Sequence, residues 1–154
     1  MKKAILFLCI LSMLGISAHA DEMPYLLRFP MPEDARLIYG TANFQLYEFG
    51  TTILNTSSYQ HDPEKGFEDY LAEAYPTHEE IDVFKTVDVG GIDAQCARFS
   101  FIYRDESYQV ISAFLAAGET DYLVLIDCSS GNPSAVEIES MLDGLQLYSL
   151  GFKY

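Results

Sequence analysis

Apolar and polar residues alternate through the middle of the chain, which is the pattern of half-buried β-strands. The alternation runs through four segments, Ile81 to Val89, Ile92 to Tyr103, Tyr108 to Ala117 and Asp121 to Cys128. Short turn sequences separate these segments, and Gly90-Gly91 is typical of a tight hairpin turn. The pattern predicts a four-stranded antiparallel meander over about 81–128.

The segment before the meander has apolar residues at helical spacing. These are Phe67, Tyr70, Leu71, Ala74 and Tyr75. Asp62 is placed to cap a helix, Pro63 suits a first turn, and Pro76 would end it. We predict a helix over about 63–75.

The segment after the meander carries the same start signals. Asn132 is placed as the cap and Pro133 as the first residue, while Ser134 and Glu137 match a capping box. Its apolar stripe consists of Ile138, Met141, Leu142 and Leu145. We predict a second helix over about 133–145, followed by a last strand over Leu145 to Tyr148.

The amino-terminal third is less regular. Three prolines make helix or central strand unfavourable in Asp21 to Pro32. Leu37 to Tyr59 is rich in aromatic, β-branched and threonine residues, and it predicts two or three short strands. The main ones are Phe44 to Phe49 and Thr51 to Asn55.

Pairing the meander strands predicts which residues share a face of the sheet. With turns centred on Asp105-Glu106 and Gly118-Glu119, Phe101 lies beside Val110. One face then holds Phe99, Phe101, Val110, Phe114, Leu123 and Leu125, with Phe114 beside Leu123. The other face holds Cys96, Ile111, Leu115, Val124 and Ile126. Both faces are apolar and need cover, so we expect an α+β fold in which two helices pack on an antiparallel sheet.

The first twenty residues have the features of an export signal. Lys2 and Lys3 precede an apolar run from Ala4 to Ile16, and Ala18-His19-Ala20 matches a cleavage site. We expect cleavage after Ala20 and a single periplasmic or secreted domain over 21–154. The sequence after residue 20 has no second apolar stretch long enough to cross a membrane.

The charge of the chain limits its partners. The sequence has 9 basic and 23 acidic residues, and the first twenty include two lysines, which leaves 7 − 23 = −16 for the rest. A strongly acidic domain repels phosphate groups, so nucleic acid and anionic membrane surfaces are not expected partners. The acidity fits solubility outside the cell, or attraction of a cationic partner.

Cys96 and Cys128 are the cysteines of the expected mature domain, and export favours a disulfide. The predicted register opposes one, since it places Cys96 opposite Leu115 and Cys128 opposite Gln109. The two residues are then two strands apart, about 9–10 Å, and offset by roughly 20 Å along the strands. A disulfide needs Cα atoms within about 7 Å. We therefore expect two buried free thiols.

No residue pattern indicates catalysis, a cofactor or a metal. A helix separates His61 from His78, and Asp82, Asp88 and Asp93 are polar positions of alternating strands. Six tyrosines fit either contact with a ligand or a partner, or ordinary strand packing: Tyr39, Tyr47, Tyr59, Tyr103, Tyr108 and Tyr122. Asn55-Thr56-Ser57 matches the acceptor pattern for N-glycosylation, which is frequent by chance. We predict no catalytic, cofactor-binding or metal-binding residues.

The region from Val87 to Tyr148 has a familiar order of motifs. A V-x-V-G-G-I-x-A hairpin leads into an aromatic strand, a Y-x-V-I-S-A-F strand, a Y-L-V-L-I-D-C-S strand and a closing helix with L-x-L-Y. This order resembles the extracytoplasmic PsbP-like and DcrB-like domains. The resemblance implies an antiparallel sheet packed by helices and a non-enzymatic accessory or binding module. It transfers no functional residue, because the matched positions are core and turn positions.

The sequence therefore predicts an exported, non-catalytic accessory or binding domain that acts on a protein or envelope partner. The alternative is an extracytoplasmic protein that binds a small ligand or cation through aromatic residues or acidic loops. A hydrolase with a dispersed acidic site is the least favoured option. The identity of the partner, the oligomeric state and the functional face of the sheet stay open.

Overall fold

The computed structural model of the chain describes residues 25–41 and 43–149. The predicted signal peptide, residues 1–20, lies outside them. The strands are β1 (Tyr25–Arg28), β2 (Arg36–Gly40), β3 (Phe44–Phe49), β4 (Thr52–Gln60), β5 (Asp82–Asp88), β6 (Asp93–Tyr103), β7 (Glu106–Ala117), β8 (Thr120–Asp127) and β9 (Gln146–Ser149). The helices are α1 (Phe67–Ala74), α2 (Ala135–Met141) and a short 3-10 helix (Leu142–Gly144).

Seven strands form one antiparallel sheet in the order β2-β3-β4-β8-β7-β6-β5. The predicted meander is confirmed as β5 to β8. Strands β2, β3 and β4 extend the meander into the seven-stranded sheet, because β4 pairs with β8. In this pairing Leu54 lies opposite Ile126 and Ser58 opposite Tyr122. β4 is longer than the predicted Thr51 to Asn55, because its second half continues this pairing as far as Gln60.

β1 and β9 form a separate two-stranded antiparallel sheet, in which Leu27 pairs with Leu147. The predicted last strand is confirmed by β9. β1 was not predicted as a strand. It lies between Pro24 and Pro30, outside the seven-stranded sheet, so the prolines interrupt no central pairing.

The predicted β6–β7 register is wrong by two residues. Phe101 pairs with Tyr108 and Cys96 with Ala113, instead of with Val110 and Leu115. The cause is a two-residue turn at Arg104-Asp105, where both residues have positive φ, 50° and 64°. The β7–β8 register is confirmed, since Phe114 pairs with Leu123.

The predicted division of residues between the two faces is confirmed. One face holds Phe99, Phe101, Val110, Leu123 and Leu125, with Phe114 at its margin. It is covered by Phe67, Tyr70, Leu71 and Ala74 of α1 and by Tyr75, the residue that follows the helix. The other holds Cys96, Ile111, Leu115, Val124 and Ile126, and it is covered by Leu27, Phe29, Ile138, Leu142 and Leu145. The faces are right despite the register error because a shift of two residues keeps every side chain on its side.

The first helix is shorter than predicted and begins at Phe67, after the cap residue Gly66. Asp62 does not cap it. Its Oδ1 accepts a hydrogen bond from the Glu64 N–H at 3.0 Å, and its carbonyl accepts from the Lys65 N–H. Asp62 therefore closes a local turn around Pro63, and the helix begins about one turn later than predicted.

The second helix also begins later, at Ala135, and its last turn is the 3-10 helix Leu142–Gly144. Ser134 is the cap, and the capping box with Glu137 is confirmed: the Ser134 N–H donates to Glu137 Oε2 at 2.8 Å. The prediction that Asn132 caps this helix is wrong. The Asn132 carbonyl instead accepts hydrogen bonds from the hydroxyls of Thr51 and Thr52.

Candidate functional site

The two histidines lie at opposite ends of the meander. The backbone N–H of His61 donates to the carbonyl of Glu119 in the β7–β8 turn. His78 instead forms an isolated β-bridge with Phe101, near the β6–β7 turn. They do not share a site. Within residues 25–41 and 43–149, no three His, Cys, Asp or Glu side chains gather in a position to hold a metal ion.

His61 instead contacts a buried carboxylate that the sequence did not reveal as special. Its Nδ1 lies 2.7 Å from Asp121 Oδ1, and the Asp121 side chain is fully buried. The other carboxylate oxygen accepts a hydrogen bond from the Tyr70 hydroxyl at 2.9 Å and a longer one from the Asp62 N–H. The end of β4, the helix α1 and the start of β8 therefore meet at Asp121.

Aromatic rings enclose the Tyr70 side of this cluster. Tyr70 stacks on Tyr59 with centroids 5.1 Å apart and tilts against Phe114 at 5.6 Å. Burial, with the adjacent Asp121 carboxylate, raises the pKa of Tyr70 well above its usual value. Tyr70 therefore stays a protonated donor to Asp121 throughout the physiological pH range. The cluster therefore ties α1 to the end of β4 and to the start of β8.

Cys96 and Cys128 are free thiols, as predicted. Cys96 pairs with Ala113, and the Cys128 N–H donates to the Gln109 carbonyl, so the two residues lie on either side of β7 and four residues apart along it. That offset is roughly 13 Å, beyond the reach of a disulfide. Burial raises the pKa of each thiol to about 11, which makes both poor nucleophiles at neutral pH.

Asn55 of the glycosylation motif is fully buried. Its Nδ2 donates to the Gln45 carbonyl at 3.3 Å, and its Oδ1 accepts from the Ser57 hydroxyl at 2.9 Å. A glycan on this nitrogen would displace the contact between β3 and β4. In the folded chain, Asn55 therefore has a structural role.

The six tyrosines do not line one groove. Tyr122 belongs to the core on one face of the sheet and Tyr108 to the core on the other. Tyr59 and Tyr103 pack against the α1 side, while Tyr47 packs against the opposite core. Tyr39 alone among the six is an exposed side chain. The other five are explained by ordinary strand packing, as one of the two interpretations of the sequence predicted.

Tyr39 belongs to the most exposed apolar segment of the sheet. Every residue of the edge strand β2 is exposed, and Leu37, Ile38 and Tyr39 retain 53%, 42% and 50% of their accessible surface. Its one charged residue, Arg36, forms a 2.7 Å ion pair with Glu48 of β3. The register shifts between Leu37 and Tyr39, which leaves Ile38 without a partner on β3.

The opposite edge strand, β5, is built differently. It carries Asp82, Lys85 and Asp88, and its charged residues bind neighbouring groups: Arg98 Nε donates to Asp82 at 2.8 Å, and Lys85 Nζ donates to Asp143 at 2.8 Å. Both edge strands contain a bulge, so a bulge does not distinguish them. The difference between the two edges is their charge. Charged residues protect a sheet edge from pairing with other chains, and an apolar edge invites it. The β2 edge is therefore the candidate interaction site.

The sequence named Tyr39 only as one of six tyrosines and did not identify the edge strand, because Leu37-Ile38-Tyr39 is a continuous apolar run, which is equally typical of a buried strand. Its position at an edge depends on the order of strands. Asp121 was missed because it begins the apolar strand D-Y-L-V-L-I-D and looks like an ordinary boundary residue.

In the described part of the chain, no helix is long and apolar enough to span a bilayer. At the level of sequence, no family model and no curated protein matches the chain.

Solved structures do match its fold. LpqN, involved in cell envelope biogenesis of Mycobacterium tuberculosis, is 13% identical with a TM-score of 0.51, and the match covers 84% of this chain and 87% of that one. Cyanobacterial PsbP (CyanoP) from Synechocystis sp. PCC 6803 is 8% identical with a TM-score of 0.53, covering 88% of this chain and 99% of that one. The chain therefore has a PsbP-like fold, as the order of motifs from Val87 to Tyr148 predicted.

Proposed function

We propose that the chain is an extracytoplasmic, non-catalytic accessory domain that binds a protein partner through the β2 edge of its sheet. The exposure of Leu37, Ile38 and Tyr39 on an edge strand is the observation that carries this function. An extended segment of a partner can add to such an edge, because main-chain hydrogen bonds supply affinity and neighbouring side chains supply specificity.

The location outside the cytoplasm is supported by two independent features. Residues 1–20 have the sequence features of an export signal, and one of the proteins that share the fold is described as involved in cell envelope biogenesis. Fractionation of cells that express the full chain, with amino-terminal sequencing of the product, tests both the location and the cleavage after Ala20. Full-length protein in the cytoplasmic fraction would contradict it.

The interaction edge is tested by site-specific photo-cross-linking in the envelope of the native host. A photoreactive residue at Ile38 should cross-link to a discrete partner, and the same residue at Val83, on the charged β5 edge, should not. Val83 is a matched control because its side chain is 46% exposed on the other edge strand.

Two further results separate this function from the alternative of small-ligand binding. Replacing Leu37 and Tyr39 by lysine should abolish the Ile38 cross-link while leaving the circular dichroism spectrum unchanged, because both side chains are largely exposed. A thermal-shift screen with divalent cations and common metabolites should give no shift. Equal cross-linking at Ile38 and Val83, or a saturable shift with one small ligand, would count against the proposed function.

A further inference from the structure

Two exposed carboxylates lie directly before the apolar edge strand. We propose that the partner segment bound at the β2 edge is an apolar stretch of protein with lysine or arginine at one end, and that these basic residues bind Glu33 and Asp34. This inference rests on the proposed function, and it specifies the chemistry of the partner at the same edge.

A tight turn presents both acids next to β2. The Ala35 N–H donates to the Pro32 carbonyl at 3.0 Å, so Glu33 and Asp34 are the two central residues of the turn. Both are exposed, and β2 begins at Arg36, two residues after Asp34. At about 3.3 Å per residue, the turn lies within roughly 10 Å of the first exposed apolar residue of the strand. One short extended segment therefore reaches both the acids and the apolar side chains.

The charge balance of this part of the chain favours a cationic partner. Residues 31–60, which include β2, β3 and β4, contain four charged side chains: Glu33, Asp34, Arg36 and Glu48. One positive and three negative charges give 1 − 3 = −2. Arg36 is neutralised by its 2.7 Å ion pair with Glu48. Within residues 25–41 and 43–149, no ion pair engages Glu33 or Asp34, so both carboxylates are available to a basic segment.

The bulge in β2 gives side chains a large share of the recognition. The register with β3 shifts between Leu37 and Tyr39, and a bulge locally disrupts the regular spacing of main-chain groups along a strand. A partner segment therefore pairs with short stretches of β2, while its apolar side chains contact Leu37, Ile38 and Tyr39. Apolar contact alone distinguishes poorly between partners. A charge pair at one end of the strand adds specificity and fixes the register of the segment.

The opposite edge lacks this combination. The two carboxylates of β5 are bound within the chain: Asp82 accepts from Arg98 Nε at 2.8 Å, and Asp88 Oδ1 accepts from the Gly91 N–H at 3.1 Å. A basic segment that binds there must displace these contacts. The β2 edge offers exposed apolar residues and unengaged carboxylates side by side, so it is the edge that selects a segment of the proposed chemistry.

The contact should depend on salt. The formal net charge of −14 attracts a basic segment at long range, and the exposed pairs with Glu33 and Asp34 are open to solvent. Salt screens both contributions, so binding should weaken as the ionic strength rises from about 0.05 M to about 0.5 M. A partner held by apolar contact alone would not show this loss.

Photo-cross-linking in isolated envelopes of the native host tests the two acids. Purified chain with a photoreactive residue at Ile38 is added at increasing concentration, and the half-saturating concentration of the cross-link is measured. The paired substitutions Glu33→Lys and Asp34→Lys should raise it about tenfold, because two attractions become two repulsions. The control pair Glu80→Lys and Asp93→Lys makes the same change of net charge at exposed acids on the β5 side of the sheet. It should change the half-saturating concentration less than about twofold.

A milder pair, Glu33→Gln and Asp34→Asn, removes the charges without reversing them. It should raise the half-saturating concentration about threefold, between the wild type and the lysine variant. All three double variants should keep the circular dichroism spectrum of the wild type, since every substituted side chain is exposed.

Mass spectrometry of the cross-linked peptide identifies the partner segment. It should contain lysine or arginine within about three residues of an apolar stretch, which is the separation of the turn from the exposed part of β2. Three results overturn the proposal: equal effects of the two lysine pairs, a cross-link insensitive to charge reversal and salt, or a cross-linked segment without a basic residue. The first would show that net charge alone acts.

The two proposals fail in different ways. A saturable protein cross-link at Ile38 that ignores the charges of Glu33 and Asp34 removes the basic segment and keeps the proposed function. Absence of any protein cross-link at Ile38 removes the proposed function, and the inference about the chemistry of its partner falls with it.

Discussion

The hydroxyl of Tyr70 donates a hydrogen bond to the carboxylate of Asp121 at 2.9 Å, although 51 residues separate the two in sequence. Both side chains are buried, and His61 occupies the other carboxylate oxygen. A buried carboxylate is costly unless hydrogen bonds replace its lost water. The three groups therefore fix how α1 sits on the sheet, because Tyr70 belongs to α1, Asp121 to β8 and His61 to the segment that follows β4.

Removal of the carboxylate should destabilise the fold strongly. Asp121→Ala leaves the Tyr70 hydroxyl and His61 without their acceptor, and we expect the free energy of unfolding to fall by about 2–3 kcal/mol. Tyr70→Phe should cost about 1 kcal/mol, and the double variant should lose less than the sum of the two. Urea denaturation measures all three.

Asp34→Ala serves as the control for this cycle, since Asp34 is an exposed carboxylate on the surface before β2. Its effect should stay within about 0.5 kcal/mol of zero. Strict additivity of the Asp121 and Tyr70 substitutions would show that the two side chains are not coupled, contrary to the observed hydrogen bond.

A change of residues in the β6–β7 turn should raise the free energy of unfolding. Arg104 and Asp105 have φ of 50° and 64°, a region that is unfavourable for arginine, is tolerated better by aspartate, and in which Asn-Gly is preferred. Arg104→Asn combined with Asp105→Gly should stabilise the protein by about 0.5–1 kcal/mol in urea denaturation. Gly118→Ala, at a φ of 63° in the next turn, should act in the opposite direction. Destabilisation by the Asn-Gly pair would show that the Arg104 or Asp105 side chain contributes more than the turn geometry.

This turn also marks the limit of what the sequence predicts about the sheet. The alternation of apolar residues identifies β5 to β8 and assigns their faces, because side-chain period is a local property. The register depends on the turn type, and Arg-Asp is not a residue pair that indicates a two-residue turn with positive φ. Phe101 was therefore assigned to the correct face and to the wrong neighbour.

The features that carry the proposals depend on contacts between distant segments. His61 and Asp121 are 60 residues apart, and neither belongs to a recognisable motif. The edge position of Leu37 follows from the pairing of β4 with β8, which sends β2 to the outside of the sheet. Local propensity contains no information on either arrangement, so the sequence predicted the scaffold and a binding role without a site.

Substitutions before α2 distinguish the predicted cap residue, Asn132, from the observed one, Ser134. Ser134→Ala removes the side chain that accepts from the Glu137 N–H, and it should cost about 1 kcal/mol in urea denaturation. Asn132→Ala should have little effect on the helix, since Thr51 and Thr52 bind the Asn132 main-chain carbonyl. A larger loss for Asn132→Ala than for Ser134→Ala would restore Asn132 as the cap.

The buried thiols should make the fold sensitive to alkaline pH. Burial raises the pKa of Cys96 and Cys128 from 9.0 to about 11, whereas thiols in the unfolded chain lose their protons near 9. Between these values the unfolded state binds fewer protons than the folded state, so the free energy of unfolding falls as pH rises through this window. Below the lower value both states keep the thiol protons, and the cysteines contribute no slope.

Urea denaturation at about pH 8 and about pH 10.5 measures this loss. Burial also raises the pKa of Tyr108, to about 12, so tyrosines add to the loss at the upper end. Replacing Cys96 and Cys128 together by alanine isolates the thiol part, because it should reduce the difference between the two pH values while leaving the tyrosine part. In unreduced protein without the first twenty residues, which contain Cys9, a thiol reagent at pH 8 should find two reactive groups only after unfolding. Rapid reaction of either thiol in the folded protein at that pH would contradict the burial that raises their pKa.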